Sequence, residues 1–257
     1  MSRIVPFLSI TVVLSALAGL VSAFAGFADE RRAALWEVIQ ACLVNHSVTG
    51  FAFPCLQVST ADGEERGYVV LRRPGTGDIV LAPTKQVVGV EDPWLRTVEA
   101  PNYFRDAWNA RSFLEELERR PLDHEDVALA VNSQLLRSQD QLHIHIGCLS
   151  YAARLATRSA APELSDSEWT RLKWHVRGPA VWARRISGSS LDGVNPFRMA
   201  EEIAEGNSKL THLAIVVAGS ALADGRDGFV ELAWLDDSAR PGGSLTADGL
   251  LDPNCSR

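Results

Sequence analysis

The amino end of the chain carries the feature that most limits how the protein can fold. Residues 4–28 contain no charged side chain. As a helix rising ~1.5 Å per residue, this run would extend ~37 Å, enough to cross a bilayer. A cleaved signal peptide is the competing interpretation, because residues 23–25 and 26–28 both have the small-x-small pattern of a cleavage site. Signal peptides usually have a shorter apolar region of about 7–15 residues, so the length favours one uncleaved transmembrane helix within residues 1–28.

The remaining residues, 29–257, have the composition of a folded domain. Over the whole chain, 46% of residues are hydrophobic and 22% are charged, which is close to the globular average and excludes disorder and fibrous repeats. The formal net charge is −7. General nucleic-acid binders normally present a basic face, so we expect no nucleic-acid partner.

The four cysteines bear on the compartment. Cys42, Cys55, Cys148 and Cys255 allow three pairings, and an even count behind a secretion-type segment favours disulfides in an oxidising compartment. Cys42 and Cys55 flank a short loop, so we expect them to pair, which leaves Cys148 for Cys255. Four reduced buried thiols are the alternative. The pairing predicts that the domain lies outside the cytoplasm.

Hydrophobic patterning divides the domain into two similar halves, at about residues 29–150 and 170–257. Each half is predicted to contain two strands, a helix and two further strands, which gives an α+β fold dominated by antiparallel strands. The expected helices cover residues 29–43, 104–119 and 195–205, with loop or a short helix over 150–172. The expected strands cover residues 67–73, 78–84, 127–133, 142–149, 174–178, 181–187, 212–219 and 229–235.

One strand carries the residues that point to chemistry. Because strand residues alternate faces, Gln141, His143 and His145 share one face, and Leu142 and Ile144 lie on the other with Ile146. The apolar face is expected to pack on a core, and the histidine face to meet water, a ligand or a metal. Two imidazoles at this spacing lie ~6.5–7 Å apart along the strand, which suits a single small site.

Two other interpretations of this histidine pair remain open. The pair can supply two metal ligands if a third is recruited from elsewhere, the candidates being His124, His175, His212 and Glu91. Alternatively, both histidines are surface residues of a binding module.

The segment Gln141-Leu142-His143-Ile144-His145-Ile146 resembles the histidine-triad motif, with Gln in place of the first His. Within that superfamily, the chain is most similar to the CDP-diacylglycerol pyrophosphatase family along nearly its whole length. The matching segments are the apolar anchor, GYVVL, Pro83-Thr84, the Gly89-x-Glu91-x-Pro93 spacing, PNYFRDAWNAR (101–111), LAVNS (129–133), ARR (183–185), NPFRMAEE (195–202) and a Cys near the carboxyl end.

The resemblance implies a histidine-triad-like fold in which the two halves form one continuous sheet. It further implies hydrolysis of CDP-diacylglycerol to CMP and phosphatidate through a nucleotidyl-histidine intermediate on His143. His145 would be the second catalytic residue, and Asn132, Ser138, Gln141 and Lys85 would bind the substrate. Arg184 and Arg185 could contribute only if the second half folded back over the site.

These implications set further expectations. We expect no cofactor and assign no metal-binding residue, which leaves a dependence on divalent metal open, and we expect a monomeric soluble part, since both halves lie in one chain. We also expect a single-pass protein of the inner membrane with its catalytic domain on the periplasmic side. The alternatives are a histidine-triad hydrolase of soluble nucleotides and a non-enzymatic, membrane-anchored periplasmic binding module.

Overall fold

A computed structural model describes residues 32–73, 78–173, 178–222, 224–237 and 244–255. The uncharged run at residues 4–28, the turn predicted at 74–77 and most of the strand predicted at 174–178 lie outside the described residues. Within the described ranges, none of the helices combines the length and the apolar character needed to span a bilayer.

The described strands form one antiparallel sheet of ten strands. Their order across the sheet is β1-β2-β3-β5-β4-β8-β9-β7-β6, and β10 pairs with β5 beyond the residues that β3 contacts. The hairpin predicted from the sequence is confirmed as β2 and β3. The strands are β1 (Gln57–Ser59), β2 (Tyr68–Arg72), β3 (Ile79–Pro83), β4 (Val127–Val131), β5 (Ile144–Leu149), β6 (Thr170–Arg171), β7 (Trp182–Ser187), β8 (Leu213–Ala221), β9 (Asp227–Leu235) and β10 (Leu251–Asp252).

Five α-helices lie on the two faces of this sheet within the described residues. Asn102 and Asn195 cap two of them, because each side chain accepts a hydrogen bond from the backbone N–H three residues ahead. Short 3₁₀ turns join several of the elements. The helices are α1 (residues 32–49), α2 (Tyr103–Asn109), α3 (Ser112–Glu118), α4 (Tyr151–Ala160) and α5 (Pro196–Met199).

Two predicted helices differ from the observed ones. The single helix expected over residues 104–119 is wrong: the chain bends at Ala110 and Arg111, and α3 then turns Leu114 into the core that α2 already contacts. The helix expected over residues 195–205 is α-helical for only four residues, after which it tightens into a 3₁₀ turn. Both differences arise from tertiary packing, which local propensity does not encode.

The sheet separates two apolar layers. On one face, α2, α3 and α5 cover a core that includes Leu142, Ile144 and Ile146. On the opposite face, which we call the histidine face, α1 covers β2 and β3, and α4 covers the central strands together with residues 245–251. The side-chain alternation predicted for residues 141–146 is therefore confirmed.

Two disulfides fasten the ends of the domain to this sheet. Cys42 pairs with Cys55 and joins the second half of α1 to the approach of β1. Cys148 pairs with Cys255 and ties the carboxyl-terminal segment to β5. Both predicted pairings are confirmed. In the chain-entropy model, such loops contribute ~3 kcal/mol for the short one and ~4.7 kcal/mol for the long one.

Candidate active site

The two histidines of β5 lie together in the middle of the first half of the sheet. On the neighbouring strands, His145 is paired with Val80 and Ala130, whose compact side chains leave room beside the imidazole. His143 precedes the first residue of β5, and the ring centroids of the two histidines are 5.0 Å apart. Both side chains are buried, since only 6% of His143 and 1% of His145 remain exposed, so of the three expected environments of this face bulk water is the least compatible.

His143 is held in one protonation form. Its Nδ1 lies 2.8 Å from the backbone carbonyl oxygen of Gln141. A carbonyl only accepts hydrogen bonds, so Nδ1 carries the proton and the lone pair is on Nε2. Burial lowers the pKa of His143, which keeps the ring neutral at physiological pH. A neutral imidazole with a free Nε2 lone pair is a nucleophile or a base.

His145 has the opposite tautomer. Its Nδ1 lies 3.5 Å from an Arg73 guanidinium nitrogen, which can only donate, so the proton is on Nε2. That Nε2 is buried without a hydrogen-bond partner, 3.8 Å from the Asp248 carboxylate. Burial, with His143 and Arg73 adjacent, lowers the pKa of His145 to about 3. The contact with Asp248 is therefore between a neutral ring and a carboxylate, not an ion pair.

Asp248 is positioned by the carboxyl-terminal segment. The side chain of Asn132 accepts hydrogen bonds from the backbone N–H groups of Ala247, at 2.7 Å, and of Asp248, at 3.4 Å. Burial raises the pKa of Asp248. The interactions with His145, Thr246 and Asn132 together lower it by a larger amount, so the net pKa lies below its usual value. The carboxylate is thus charged at neutral pH and faces the N–H of His145.

The structure brings only some of the sequence-predicted site residues together. Asn132 is linked to the histidines indirectly: its side chain binds the backbone of Asp248, and the Asp248 carboxylate lies beside His145. Gln141 is buried beside them, but its amide is occupied by backbone groups: Nε2 donates to the oxygens of Pro83 and Lys85, and Oε1 accepts from the N–H of Val87. Gln141 therefore clamps the entry of β5 to the end of β3.

Ser138 and Lys85 are placed differently. Ser138 is exposed in the loop between β4 and β5. The Lys85 ammonium lies 2.6 Å from Glu65 and over the ring of Trp94, away from the histidine pair. Arg184 and Arg185 lie on β7, four strands from β5 and thus ~19 Å away across the sheet.

Sequence reasoning missed Arg73 and Asp248. Arg73 directly follows β2, next to the hairpin turn, and only the pairing of β3 with β5 brings it to His145. Asp248 is more than a hundred residues from His145 along the chain. The pairing of Cys148 with Cys255 was the available signal, because it returns the carboxyl-terminal segment to β5.

A buried charge network holds the loop that leads into β5. Arg137 is 3% exposed in its side chain and binds both the Glu91 carboxylate, at 2.7 Å, and Asp140, at 2.8 Å. Arg32, at the start of α1, binds the same Asp140 and is the main cause that lowers the Asp140 pKa to about 2. A Cβ on Gly89 would lie 2.1 Å from the Arg137 guanidinium, which explains a glycine there.

The third ligands considered for a metal site are held elsewhere. His124 hydrogen-bonds to the backbone oxygen of Gly228, His212 to that of Asp236, and Glu91 to Arg137. His175 lies outside the described residues. Across the described ranges, no cluster of three or more His, Cys, Asp or Glu side chains has the arrangement of a metal site.

A cavity of about 600 Å³ reaches His145 and Asp248 and extends along Gly147 to Leu251 and the hairpin end of β3. A larger cavity, of about 1270 Å³, lies in the second half beside Trp169 and Trp182. It contains neither histidine of β5. We assign the candidate active site to the region of the smaller cavity, because His145 and Asp248 line it and His143 and Arg73 lie beside His145.

Comparison with known proteins points to one family. The CDP-diacylglycerol pyrophosphatase family matches this chain over residues 30–257. A protein of Yersinia pestis named CDP-diacylglycerol pyrophosphatase is 34% identical over 194 residues, which cover 74% of this chain and 73% of that protein.

Proposed function

The chain belongs to the CDP-diacylglycerol pyrophosphatase family, and we propose that His143 is the nucleophile with which it opens the pyrophosphate bond of CDP-diacylglycerol. The enzyme is a hydrolase that converts this lipid and water into CMP and phosphatidate. The observation that carries the assignment is the Nδ1–H of His143 donating to the Gln141 carbonyl, because it leaves the Nε2 lone pair free.

In the first step, Nε2 of His143 attacks the phosphorus that bears the cytidine. The bond from that phosphorus to the bridging oxygen breaks, and phosphatidate leaves with the electron pair. CMP then remains on the imidazole, which keeps its Nδ1 proton on the Gln141 carbonyl. In the second step, a water oxygen bonds to the same phosphorus, the P–N bond breaks, and the water proton leaves to solvent. Neutral His143 is restored.

The neighbours of His143 supply charge and hydrogen bonds for these steps. Arg73 contacts His145, and its positive charge opposes the negative charge of the phosphates. The Nε2–H of His145 has no hydrogen-bond partner among the described residues, and a buried unpaired donor costs about 1–3 kcal/mol. A non-bridging phosphate oxygen would satisfy this donor. Asp248 lies 3.8 Å from this Nε2, and its negative charge favours the tautomer with the proton there, so we assign it as a positioning residue.

We further propose that the two halves of the sheet are a duplicated histidine-triad-like unit. The strand order from the centre outward is β4-β5-β3-β2 in one half and β8-β9-β7-β6 in the other, and β4 and β8 meet in the middle. Aligning β5 with β9 puts Val230 and Leu232 where His143 and His145 lie. The proposal gives one active site per chain and a soluble part that is monomeric.

For the location, we propose a single-pass protein of the inner membrane with the domain of residues 29–257 in the periplasm. Two disulfides within the described residues and the uncharged run at residues 4–28 support this proposal. Reporter fusions after Arg257 test it: alkaline phosphatase should be active there and a cytoplasm-only reporter inactive. A mature protein that begins at residue 29 would contradict an uncleaved anchor.

Isotope labelling tests the chemistry. With the full chain in detergent and ¹⁸O water, the label should enter CMP and not phosphatidate, because water attacks the phosphorus that bears the cytidine. Acid-labile nucleotide should also be recovered on a peptide that contains His143 after rapid quenching. Label in phosphatidate would show attack on the other phosphorus, and label in CMP without any trapped nucleotide would point to direct attack by water.

A further inference from the structure

The loop that the first disulfide closes exposes a group of large apolar side chains. Val48 is 79% exposed, Phe53 77% and Phe51 73%, although residues of these types are normally buried. Together with two less exposed neighbours they form what we call the loop patch, which consists of Val44, Val48, Phe51, Phe53 and Leu56. Contiguous exposed apolar surface of this kind marks an interaction site.

The fold holds this loop in place from inside. The Asn45 amide donates to the backbone oxygens of Phe51, at 3.1 Å, and Phe53, at 2.8 Å. The Cys42–Cys55 disulfide closes the base of the loop, and the N–H of Leu56 donates to the oxygen of Val70. The phenylalanines are thus presented to the outside by a fixed backbone, and cannot turn inward without breaking these bonds.

The patch also lies in a stretch without formal charge. Residues 38–61 contain no Asp, Glu, Lys or Arg, in a chain in which 22% of residues carry such side chains. Insertion into the boundary between headgroups and acyl chains is costly for charged groups and favourable for Phe and Val. The composition therefore suits a lipid surface.

We propose that the loop patch inserts into the surface of the bilayer that holds the lipid substrate. The described chain begins at the amino end of α1, four residues after the uncharged run that is predicted to cross a membrane, and the patch lies at the carboxyl end of α1. With both ends of α1 at the membrane, the helix lies along its surface. The orientation of the active site follows from this arrangement.

The patch is close enough to the active site to set how the headgroup enters. Leu56, at the edge of the patch, is bonded to Val70, which lies ~10 Å along the chain from the backbone of Arg73, the residue whose side chain contacts His145. Acyl chains can therefore stay in the bilayer while the pyrophosphate reaches His143. This last point rests on the function proposed above; the membrane contact itself does not.

Spin labelling tests the contact without any assay of activity. The full chain, in vesicles of phosphatidylcholine and phosphatidylglycerol, carries a nitroxide on Phe53→Cys or, as the control, on Val98→Cys. Val98 is 85% exposed and lies near Arg66, ahead of β2. Oxygen concentrates in the bilayer and the nickel complex stays in water. The nitroxide at position 53 should therefore collide more often with oxygen than with the nickel complex, and the nitroxide at position 98 should show the reverse. A label at 53 that meets nickel freely overturns the proposal, as does one shielded from both reagents, which would mean cover by protein.

Kinetics tests the consequence for the substrate. The variant with Phe51→Ser and Phe53→Ser should need about tenfold more long-chain CDP-diacylglycerol in vesicles for half-maximal rate, and should act normally on a short-chain analogue dissolved in water. Val98→Ser should change neither. Equal loss on both substrates overturns the proposal. If the wild-type chain hydrolyses neither substrate, the proposed function fails, and the nitroxide result still decides the membrane contact.

Discussion

The strands β5 and β9 occupy matching places in the sheet, each one strand outward from the central β4–β8 pair. On the histidine face, His145 in β5 and His143 just before it lie beside Arg73 and Asp248, whereas β9 carries Val230 and Leu232 in a closed apolar cluster. The same strand position thus serves as a site in one half and as core in the other.

The comparison of β5 with β9 shows which half of the sheet accommodates polar groups on the histidine face. In the first half, small neighbours beside His145 and a returning carboxyl-terminal segment leave a cavity with charged walls. In the second half, α4 and residues 245–251 fill the corresponding face with apolar side chains. We therefore expect substitutions on the two strands to separate catalysis from stability.

The largest effect is expected at the nucleophile. The substitution His143→Ala removes the proposed nucleophilic atom, so turnover should fall by at least about 10⁴-fold, as for nucleophiles of other hydrolases. The matched control, Val230→Ala on β9, should keep full turnover and lose about 1 kcal/mol of stability. CMP release and thermal unfolding measure the two effects. A His143→Ala protein that folds and keeps a tenth of its turnover would exclude the covalent route.

The charged neighbours should have smaller effects. Removal of one positioned donor typically costs 10²- to 10³-fold in kcat, so Arg73→Gln should fall in that range, with partial recovery in Arg73→Lys.

Asp248→Asn should lower kcat through the orientation of His145 and leave KM nearly unchanged. The comparison in the second half is Arg184→Gln, a guanidinium four strands away, which should leave turnover unchanged. Loss of turnover there would mean that both halves contribute to the site.

Acid should destabilise the first half through its buried histidines. In the folded protein, burial lowers the pKa of His143 and brings that of His145 to about 3, so the unfolded chain takes up protons first as pH falls. This stability is fully present above pH ~6.5 and is lost below it, by about 2 kcal/mol for His145 at pH 5. Urea unfolding above pH ~6.5 and at pH 5 should show a smaller loss of unfolding free energy in His145→Leu, which has the residue type of its β9 counterpart, Leu232. An equal loss would contradict neutral burial.

Much of this arrangement could be predicted from local sequence, because strand alternation is a local property. The period of two placed Leu142 and Ile144 in the core and both histidines on the other face, and the loop between Cys42 and Cys55 indicated their pairing. The resemblance to a family supplied the reaction. None of these signals depends on which strands become neighbours.

The remainder depends on tertiary structure. Arg73 reaches His145 only because β3 pairs with β5, and Asp248 only because the chain returns from residue 255 to residue 148. Burial of the histidines depends on segments that are distant in sequence. Lys85 was a reasonable phosphate ligand by position, but its ammonium is bound by Glu65 on the opposite face.

The smallest effect on stability is expected at Glu231, a charged residue type within the buried part of β9. Glu231 is fully buried, and neither carboxylate oxygen has a hydrogen-bond partner within the described ranges. In the alignment of β9 with β5, Glu231 corresponds to Ile144. Burial raises the pKa of Glu231 well above its usual value. A carboxyl with a raised pKa in the folded state favours folding most at low pH, where it is neutral. As pH rises, its charged form is favoured in the unfolded chain, so Glu231 destabilises the folded protein increasingly towards alkaline pH.

Replacement of Glu231→Ile should therefore stabilise the protein by about 1–2 kcal/mol, and more at pH 8 than at pH 5. Arg184, the cross-strand neighbour, keeps its partners in this variant, because it binds Glu202 and the backbone oxygen of Asp166. The mirror substitution, Ile144→Glu, should destabilise strongly at both pH values, because it buries a carboxyl in a core that lacks a partner. Urea unfolding gives both free energies. If Glu231→Ile lowers stability instead, the carboxyl has a role in the second half, and β9 is not merely the apolar counterpart of β5.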